Sequence, residues 1–357
     1  MVDPDPSIEL AAMELFEQAM ERPAEERENY ISDNGSVAEE IRRRALELLS
    51  ANVGALASLK TGGAADLDED EKTHPEQIGA YRILRLLGKG GMGAVYMAER
   101  MSDDFDHVAA IKLIKPGLLS DTLIERFRRE RQLLAQLNHK NIARLYDGGE
   151  TEDGSPYRVT EYIDGVPLPE SLEILKPDIT ERLSLFEQIC EAVEYAHQNL
   201  VIHRDLTPSN VLIDEAGQVK LIDFGIARMA AEGDATDNQA STFTGLSLTP
   251  GYAAPERSKG AAANTLSDVF SLGRLLALLI GNSRKDELVA IAVKACSDNP
   301  DERYATASAL NEDITRFRTG HAVHAKNSGL SYQISKFILR QKMVVTLGGL
   351  IVFALCG

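Results

Sequence analysis

Cysteine is scarce in this chain of 357 residues, and the three that occur, Cys190, Cys296 and Cys356, lie far apart. With no C-x-x-C pair they suggest neither a zinc site nor a disulfide framework. A reduced, cytoplasmic setting fits the bulk of the chain. Basic residues are also short: 38 Lys and Arg face 55 Asp and Glu, a net charge of −17. A protein that grips nucleic acid by neutralising phosphates needs clustered cations, so no nucleic-acid partner is expected. The first ten residues, MVDPDPSIEL, hold no basic and no apolar stretch of the kind a secretory signal needs. Long runs that are both uncharged and predominantly apolar are missing as well, apart from MVVTLGGLIVFALCG at 343–357.

What remains is a chain with 44% apolar residues, enough to bury a sizeable core. Its acidity is local, since residues 1–80 hold 19 acidic and 7 basic side chains. Within 1–59, apolar side chains recur at helical spacing (Leu15, Phe16, Ala19, then Ile41, Ala45, Leu48, Leu49) and predict a small helical unit with a solvated charged face. Residues 60–77 combine paired glycines with an acid run and read as a linker.

From Ile78 the pattern changes to short β-branched runs broken by glycine, and these predict twisted antiparallel strands. An amphipathic helix is expected over Ser120–Leu137 with Ser120 as N-cap, then strands around Ile142–Tyr146 and Tyr157–Tyr162. Helical periodicity then dominates at 181–198, 266–280, 286–297 and 303–318. A strand-rich half thus meets a helix-rich half near EYIDGVP.

Four motifs carry the chemistry. Gly88, Gly90 and Gly93 in GKGGMGAV stand between two strand-like runs; glycines there let backbone N–H groups close over phosphates. G-x-G-x-x-G alone also opens dinucleotide-binding folds and many plain turns, but a strand following it argues against the dinucleotide version. Lys112 in AAIK lies on the next strand, and Glu130 on the amphipathic helix is its expected partner, making a fixed point charge for α- and β-phosphates. HRDLTPSN at 203–210 is followed thirteen residues after its Asn by DFG at 223–225. It orders an aspartate to accept a hydroxyl proton, an asparagine and an aspartate to hold Mg²⁺, and a glycine for the turn. APE at 254–256 follows LTPGY.

The ordered set over 78–320 resembles the bacterial, eukaryotic-like (Hanks-type) serine/threonine protein kinases. The resemblance implies an α+β, bilobal fold with an antiparallel β-rich N-lobe and a mainly α-helical C-lobe, here with an N-terminal helical extension and a C-terminal apolar segment. It implies an ATP-dependent transferase acting on Ser/Thr hydroxyls of proteins, with Mg²⁺ as metal and Mn²⁺ as an alternative. Residue by residue it implies Asp205 as catalytic base, Lys112 paired with Glu130, and Asn210 with Asp223 as metal ligands. Gly88, Gly90, Gly93 and Val95 would cover the nucleotide. Ala110 and Leu212 would sandwich adenine with Val95, and the Glu161–Ile163 backbone would form the hinge, with Thr160 as gatekeeper. Leu134, Leu145, His203 and Phe224 would stack as a spine. Arg204 would meet a phosphorylated activation loop at Thr242 or Thr244, which a second copy of the chain could modify in trans. Glu256 with Arg303 is the expected buried ion pair, and Asp268 the expected anchor of the catalytic loop. TPGYAAPE matches the family's protein-substrate activation segment, which argues against a small-molecule kinase, and Thr249 within it favours Ser/Thr over Tyr acceptors.

Two departures keep a second reading open, that of a pseudokinase or nucleotide-binding scaffold. Thr207 stands where such kinases carry a γ-phosphate lysine, a loss worth about 2–4 kcal/mol of transition-state stabilisation. The stretch from Asp268 to Arg303 is also short of the chain that usually docks substrates. At the far end, a basic segment at 321–342 with Lys336, Arg340 and Lys342 precedes the 343–357 run. As a helix that run spans about 22 Å, short of the ~30 Å hydrocarbon core. The expectation is a partial membrane span with the kinase on the positive, cytoplasmic side.

Overall fold

The computed structural model describes residues 15, 19, 24–32, 38, 39, 41–46, 75–90, 93–101, 107–115, 121–225, 251–258, 260–281, 285–326, 332–334, 336 and 337. Ser120, Thr242, Thr244, Thr249 and the apolar run 343–357 therefore lie outside the described residues, as does the linker from 60 to 74. Of the N-terminal unit, α1 (Ala24–Ser32) is described, and Ile31 packs with Leu15, Ala19 and Ala45 in a small apolar cluster.

Alternating apolar residues build a six-stranded antiparallel sheet from β1 (Gln77–Ile78), β2 (Tyr81–Gly90), β3 (Gly93–Arg100), β4 (Val108–Ile114), β5 (Leu145–Glu150) and β6 (Pro156–Glu161), in the order β1-β2-β3-β4-β6-β5. Period two splits its faces. Tyr96, Ala98, Ala109, Ile111 and Val159 fill one side as a core, while Val95, Ala110 and Thr160 are only half-buried on the other. Helix α2 (Asp121–Leu134) follows β4, and its Leu134 joins the main core.

The second half begins with β7 (Gly165–Pro167), α3 (Leu168–Leu175) and α4 (Ile179–Gln198). Asp178 caps α4 in a reciprocal box with Glu181, so the helix starts before the apolar periodicity does. A 3₁₀ turn (Pro208–Asn210) leads into the hairpin β8 (Val211–Asp214) and β9 (Val219–Leu221), which joins β7 in a three-stranded sheet. Then come α5 (Pro255–Ser258), α6 (Thr265–Ile280), α7 (Asp286–Ala295) and α8 (Ala307–Arg318). Phe186 and Ile189 of α4, Leu272 and Leu275 of α6 and Leu310 and Ile314 of α8 are fully buried together.

The helix expected to reach Leu137 ends at Leu134, and two further boundaries differ from expectation. The strand expected around Ile142–Tyr146 starts at Leu145 and runs on to Glu150 through Asp147-Gly148-Gly149, letters that read as a turn. Tyr157 on β6 explains it: a Cβ at Gly149 would lie 2.8 Å from the Tyr157 hydroxyl oxygen, so glycine is what lets the strands close. Ile142 makes only an isolated bridge to Leu221. The helix expected over 303–318 begins at Ala307, capped by Thr306, whose hydroxyl accepts the Ala309 N–H at 3.0 Å. Residue 303 is held extended because its guanidinium is drawn to Glu256.

Between α6 and α8 the short connection is filled by α7, and Tyr332 and Lys336 reach back to it. Glu287 of α7 accepts hydrogen bonds from Tyr332 at 2.5 Å and from Lys336 at 2.9 Å. Asp313, fully buried on α8, accepts the backbone N–H groups of His324 and Ala325, fixing the chain there.

Candidate active site

The cleft between the two halves is built on a loop that one buried carboxylate organises. Asp268, 1% exposed on α6, accepts the backbone N–H of His203 at 2.8 Å and of Arg204 at 2.9 Å, and meets His197 Nε2 at 2.8 Å. Burial pushes its carboxyl up, but the His197 and His203 contacts outweigh that and hold it below the usual carboxylate range. Gripped in this way, Arg204 takes a left-handed backbone (φ 65°), and its carbonyl accepts a hydrogen bond from Arg257.

From that anchor the loop presents Asp205, half-buried. Asn210 Nδ2 donates to the Asp205 carbonyl at 2.8 Å, and the Asn210 carbonyl accepts the N–H of Ile222 at 2.9 Å. The next residue is Asp223, also left-handed (φ 60°), and Gly225 N–H returns to the His203 carbonyl at 2.9 Å. Base candidate and both metal-ligand candidates therefore sit on one hydrogen-bonded framework. Phe224 packs on His203 with ring centroids 4.5 Å apart and planes tilted by 34°, and burial pushes the His203 imidazole below its ordinary pKa against the opposing pull of Asp268 and Asp205. Of the other two expected spine residues, Leu134 belongs to the main core with Phe224 and Leu145 packs against that core.

Above the loop, Lys112 of β4 lies 2.5 Å from Asp223 Oδ2. The side chain of Glu130, on α2, lies outside the described residues. Register puts Val95, Lys112 and Arg158 in one line across β3, β4 and β6, and Ala110 beside Thr160 in the next, all on the cleft face. Thr160 donates to the Ala110 carbonyl at 3.4 Å. Leu212, half-buried on β8, faces from the other half. Glu161 is fixed three ways: its N–H donates to the Arg144 carbonyl at 2.8 Å, its carboxylate accepts the Arg144 N–H at 3.1 Å, and Lys220 of β9 pairs with it at 2.8 Å. Ile163 lies just past β6, outside the ladder.

The glycine-rich turn is the β2–β3 hairpin, where Gly88 pairs with Val95 and Gly90 with Gly93. Gly93 has a packing reason of its own, for a Cβ there would come 1.9 Å from the Leu113 carbonyl oxygen. Thr207 is 2% exposed, and its hydroxyl meets Ser209 Oγ at 2.9 Å, so the side chain is used inside the loop. Downstream, Arg303 and Glu256 form a two-point pair at 2.8 and 2.7 Å, with Ser267 as a further donor. Against the upward push of burial, Arg303 keeps the Glu256 carboxyl below its ordinary value.

Sequence reasoning overlooked two residues here. Arg158, with a side chain 8% exposed, pairs with the Asp223 carboxylate and donates to the Phe224 carbonyl at 3.1 Å. Lys220, cross-strand neighbour of Leu212, carries the bond to Glu161.

No cluster of three or more His, Cys, Asp and Glu side chains of metal-binding kind occurs among the described residues. Mg²⁺ does not need one, because it is commonly held by one or two carboxylates, substrate phosphates and water. Asp223 and Asn210, fixed to one another through Ile222, fit that donor set.

Comparison with known proteins adds a lineage to this geometry. The protein kinase domain family matches residues 81–313. The serine/threonine-protein kinase PknB of Mycolicibacterium smegmatis is 34% identical over 288 residues, covering 71% of this chain and 45% of that protein. The serine/threonine-protein kinase PrkC of Bacillus subtilis is 36% identical over 270 residues, covering 66% and 40%. The chain thus spans less than half the length of these relatives. Among solved structures, the Mycobacterium tuberculosis PknI kinase domain aligns with a TM-score of 0.55 at 24% identity, over 68% of this chain and 99% of that one.

Proposed function

The chain belongs to the protein kinase domain family, and on that premise we propose that it transfers the γ-phosphate of ATP to Ser and Thr hydroxyls of proteins. The observation that carries this reading is the framework Asp205–Asn210–Ile222–Asp223, in which two backbone-directed hydrogen bonds at 2.8 and 2.9 Å hold the groups for proton acceptance and metal binding at fixed spacing. Asp205 accepts the proton of the attacking hydroxyl. Asn210 and Asp223 hold Mg²⁺, which when bound neutralises charge on the β- and γ-phosphates. Lys112 directs its ammonium at the α- and β-phosphates, with Glu130 as its expected support. Adenine lies between Val95, Ala110 and Leu212 and meets the Glu161 and Ile163 backbone. Gly88, Gly90 and Gly93 cover the phosphates.

Thr207 brings no cation to the γ-phosphate, and its bond to Ser209 supports a slowed reaction with the base intact. Phosphorylation of Thr242 or Thr244, carried out by a second copy of the chain, supplies Arg204 with an anionic partner. The run 343–357 anchors the protein to the cytoplasmic membrane, a reading supported by Lys336, Arg340 and Lys342 immediately before it. Among the described residues no helix is long and apolar enough to cross a membrane.

ADP release with MgATP and a Ser/Thr-rich acceptor protein tests the reading. Release that requires both acceptor and metal supports it. Nucleotide binding without release above an Asp205→Asn control overturns it in favour of a scaffold.

A further inference from the structure

Arg158 is a buried arginine within β6, flanked by the buried residues Tyr157 and Val159. Tyr157 and Val159 point into the N-lobe core, and period two turns Arg158 to the cleft face with Thr160. There it stands directly opposite Lys112, an arrangement of like charges that is unfavourable between neighbouring strands unless an anion is shared. The shared anion is Asp223, which takes Lys112 on Oδ2 and Arg158 on Oδ1. The same guanidinium also donates to the carbonyl of the following residue, Phe224, at 3.1 Å.

Burial alone obliges an arginine to find acceptors. Two acceptors on consecutive residues of the metal-holding turn are a narrower arrangement. A guanidinium is a planar fork that fixes the relative orientation of the groups it binds, which a lysine cannot do. The turn also needs fixing, because Asp223 sits at φ 60°, a conformation that costs a non-glycine residue energy and persists only where its surroundings impose it. From the catalytic loop the segment is held by Ile222 N–H to Asn210, Gly225 N–H to His203 and the Phe224–His203 ring contact. From the sheet Lys112 meets only the carboxylate, whereas Arg158 takes the carboxylate and the Phe224 carbonyl together.

We propose that Arg158 is a positioning residue of the phosphoryl-transfer site: its fork clamps Asp223 and Phe224 in the orientation that presents the Asp223 carboxylate to Lys112 and the metal. The clamp rests on the reading of Asp223 as metal ligand. It acts through Asp223, without touching the transferred phosphate, and so governs how much Mg²⁺ adds to nucleotide affinity.

The test uses the full chain, with R158M, which keeps length without charge, and R158K, which keeps charge without the fork. Two quantities are read: amide hydrogen exchange over 222–225 without nucleotide, and the affinity for a non-hydrolysable ATP analogue with Mg²⁺ and with EDTA. In R158M the exchange rises and the affinity gained from Mg²⁺ falls, each by about tenfold, the worth of a hydrogen bond to a charged group. Affinity in EDTA stays as in the unaltered chain, and R158K falls between the two. Unchanged exchange and unchanged Mg²⁺ gain in R158M overturn the proposal, as does an R158K that matches the unaltered chain in both. If R158M does not fold, R158K alone decides by the same two readouts. An unaltered chain that binds no nucleotide contradicts the proposed function, while the exchange arm still decides the clamp.

Discussion

Lys112 and Arg158 stand side by side across β4 and β6, and both hold the carboxylate of Asp223. The sheet thereby grips the left-handed turn that the catalytic loop grips from below through Asn210 and His203. The proposed base and metal ligands are thus positioned by backbone framework and by paired charges, and the substitutions that follow address those supports one at a time.

Removing the guanidinium partner of Glu256 should destabilise the helical half strongly. Arg303 is fully buried as a side chain, and Arg303→Ala leaves the Glu256 carboxylate without its two-point partner, a change that costs about 3–5 kcal/mol. Urea unfolding of the two chains measures it. A loss under about 1 kcal/mol, the level of an exposed pair, contradicts the bracing role.

Acid should destabilise the fold in two stages with the same sign. His203 has a folded pKa below its ordinary 6.5, so it binds fewer protons folded than unfolded; its contribution is present above 6.5 and lost as pH falls toward the lower folded value. Asp268 and Glu256, depressed from 3.8 and 4.5, act the same way further down. Melting temperature should therefore decline below pH 6.5 and again below 4.5. His139, lowered by its own burial, contributes to the same stage, so His203→Phe should make the first stage shallower and spare the second; an unaltered first stage refutes the assignment.

Lys220 ties β9 to the proposed hinge through Glu161, both side chains being partly exposed. Lys220→Met should weaken ATP binding only a few-fold, as befits a pair worth about 0.5–1 kcal/mol. Titration of nucleotide affinity and kcat together checks this: KM rises while kcat holds. A fall in kcat without a change in KM contradicts a hinge role.

Thr207→Lys should raise kcat by about a hundredfold with little change in the KM for ATP, because the added cation acts where charge develops. The substitution also breaks the Thr207–Ser209 bond within the loop. Steady-state kinetics with one acceptor protein decide, and an unchanged kcat shows that the missing lysine does not limit the reaction.

Much of this site was legible because its residues are spelled in fixed local patterns. Asp205, Asn210 and Asp223 are separated by short spacings that a loop and a hairpin must reproduce, and Asp268 and Arg303 stand in motifs of their own. Arg158 escaped notice because a charge in a strand suggests a solvent-facing position, yet the signal was present. Thr160 is the expected gatekeeper, and period two places Arg158 on the same face of the strand. Lys220 escaped for the same reason, opposite Leu212 on β9. The extension of β5 through Asp147-Gly148-Gly149 could not be read locally, since it depends on the Tyr157 ring crossing from another strand.

The central claim is that Asp205 takes a proton in a metal-dependent transfer from ATP. The most direct measurement is mass spectrometry of the purified chain after incubation with ATP and Mg²⁺, beside Asp205→Asn and Asp223→Asn. The account predicts phosphate at Thr242 and Thr244 in the unaltered chain and none in either variant. Equal phosphate in the unaltered chain and Asp205→Asn would contradict it.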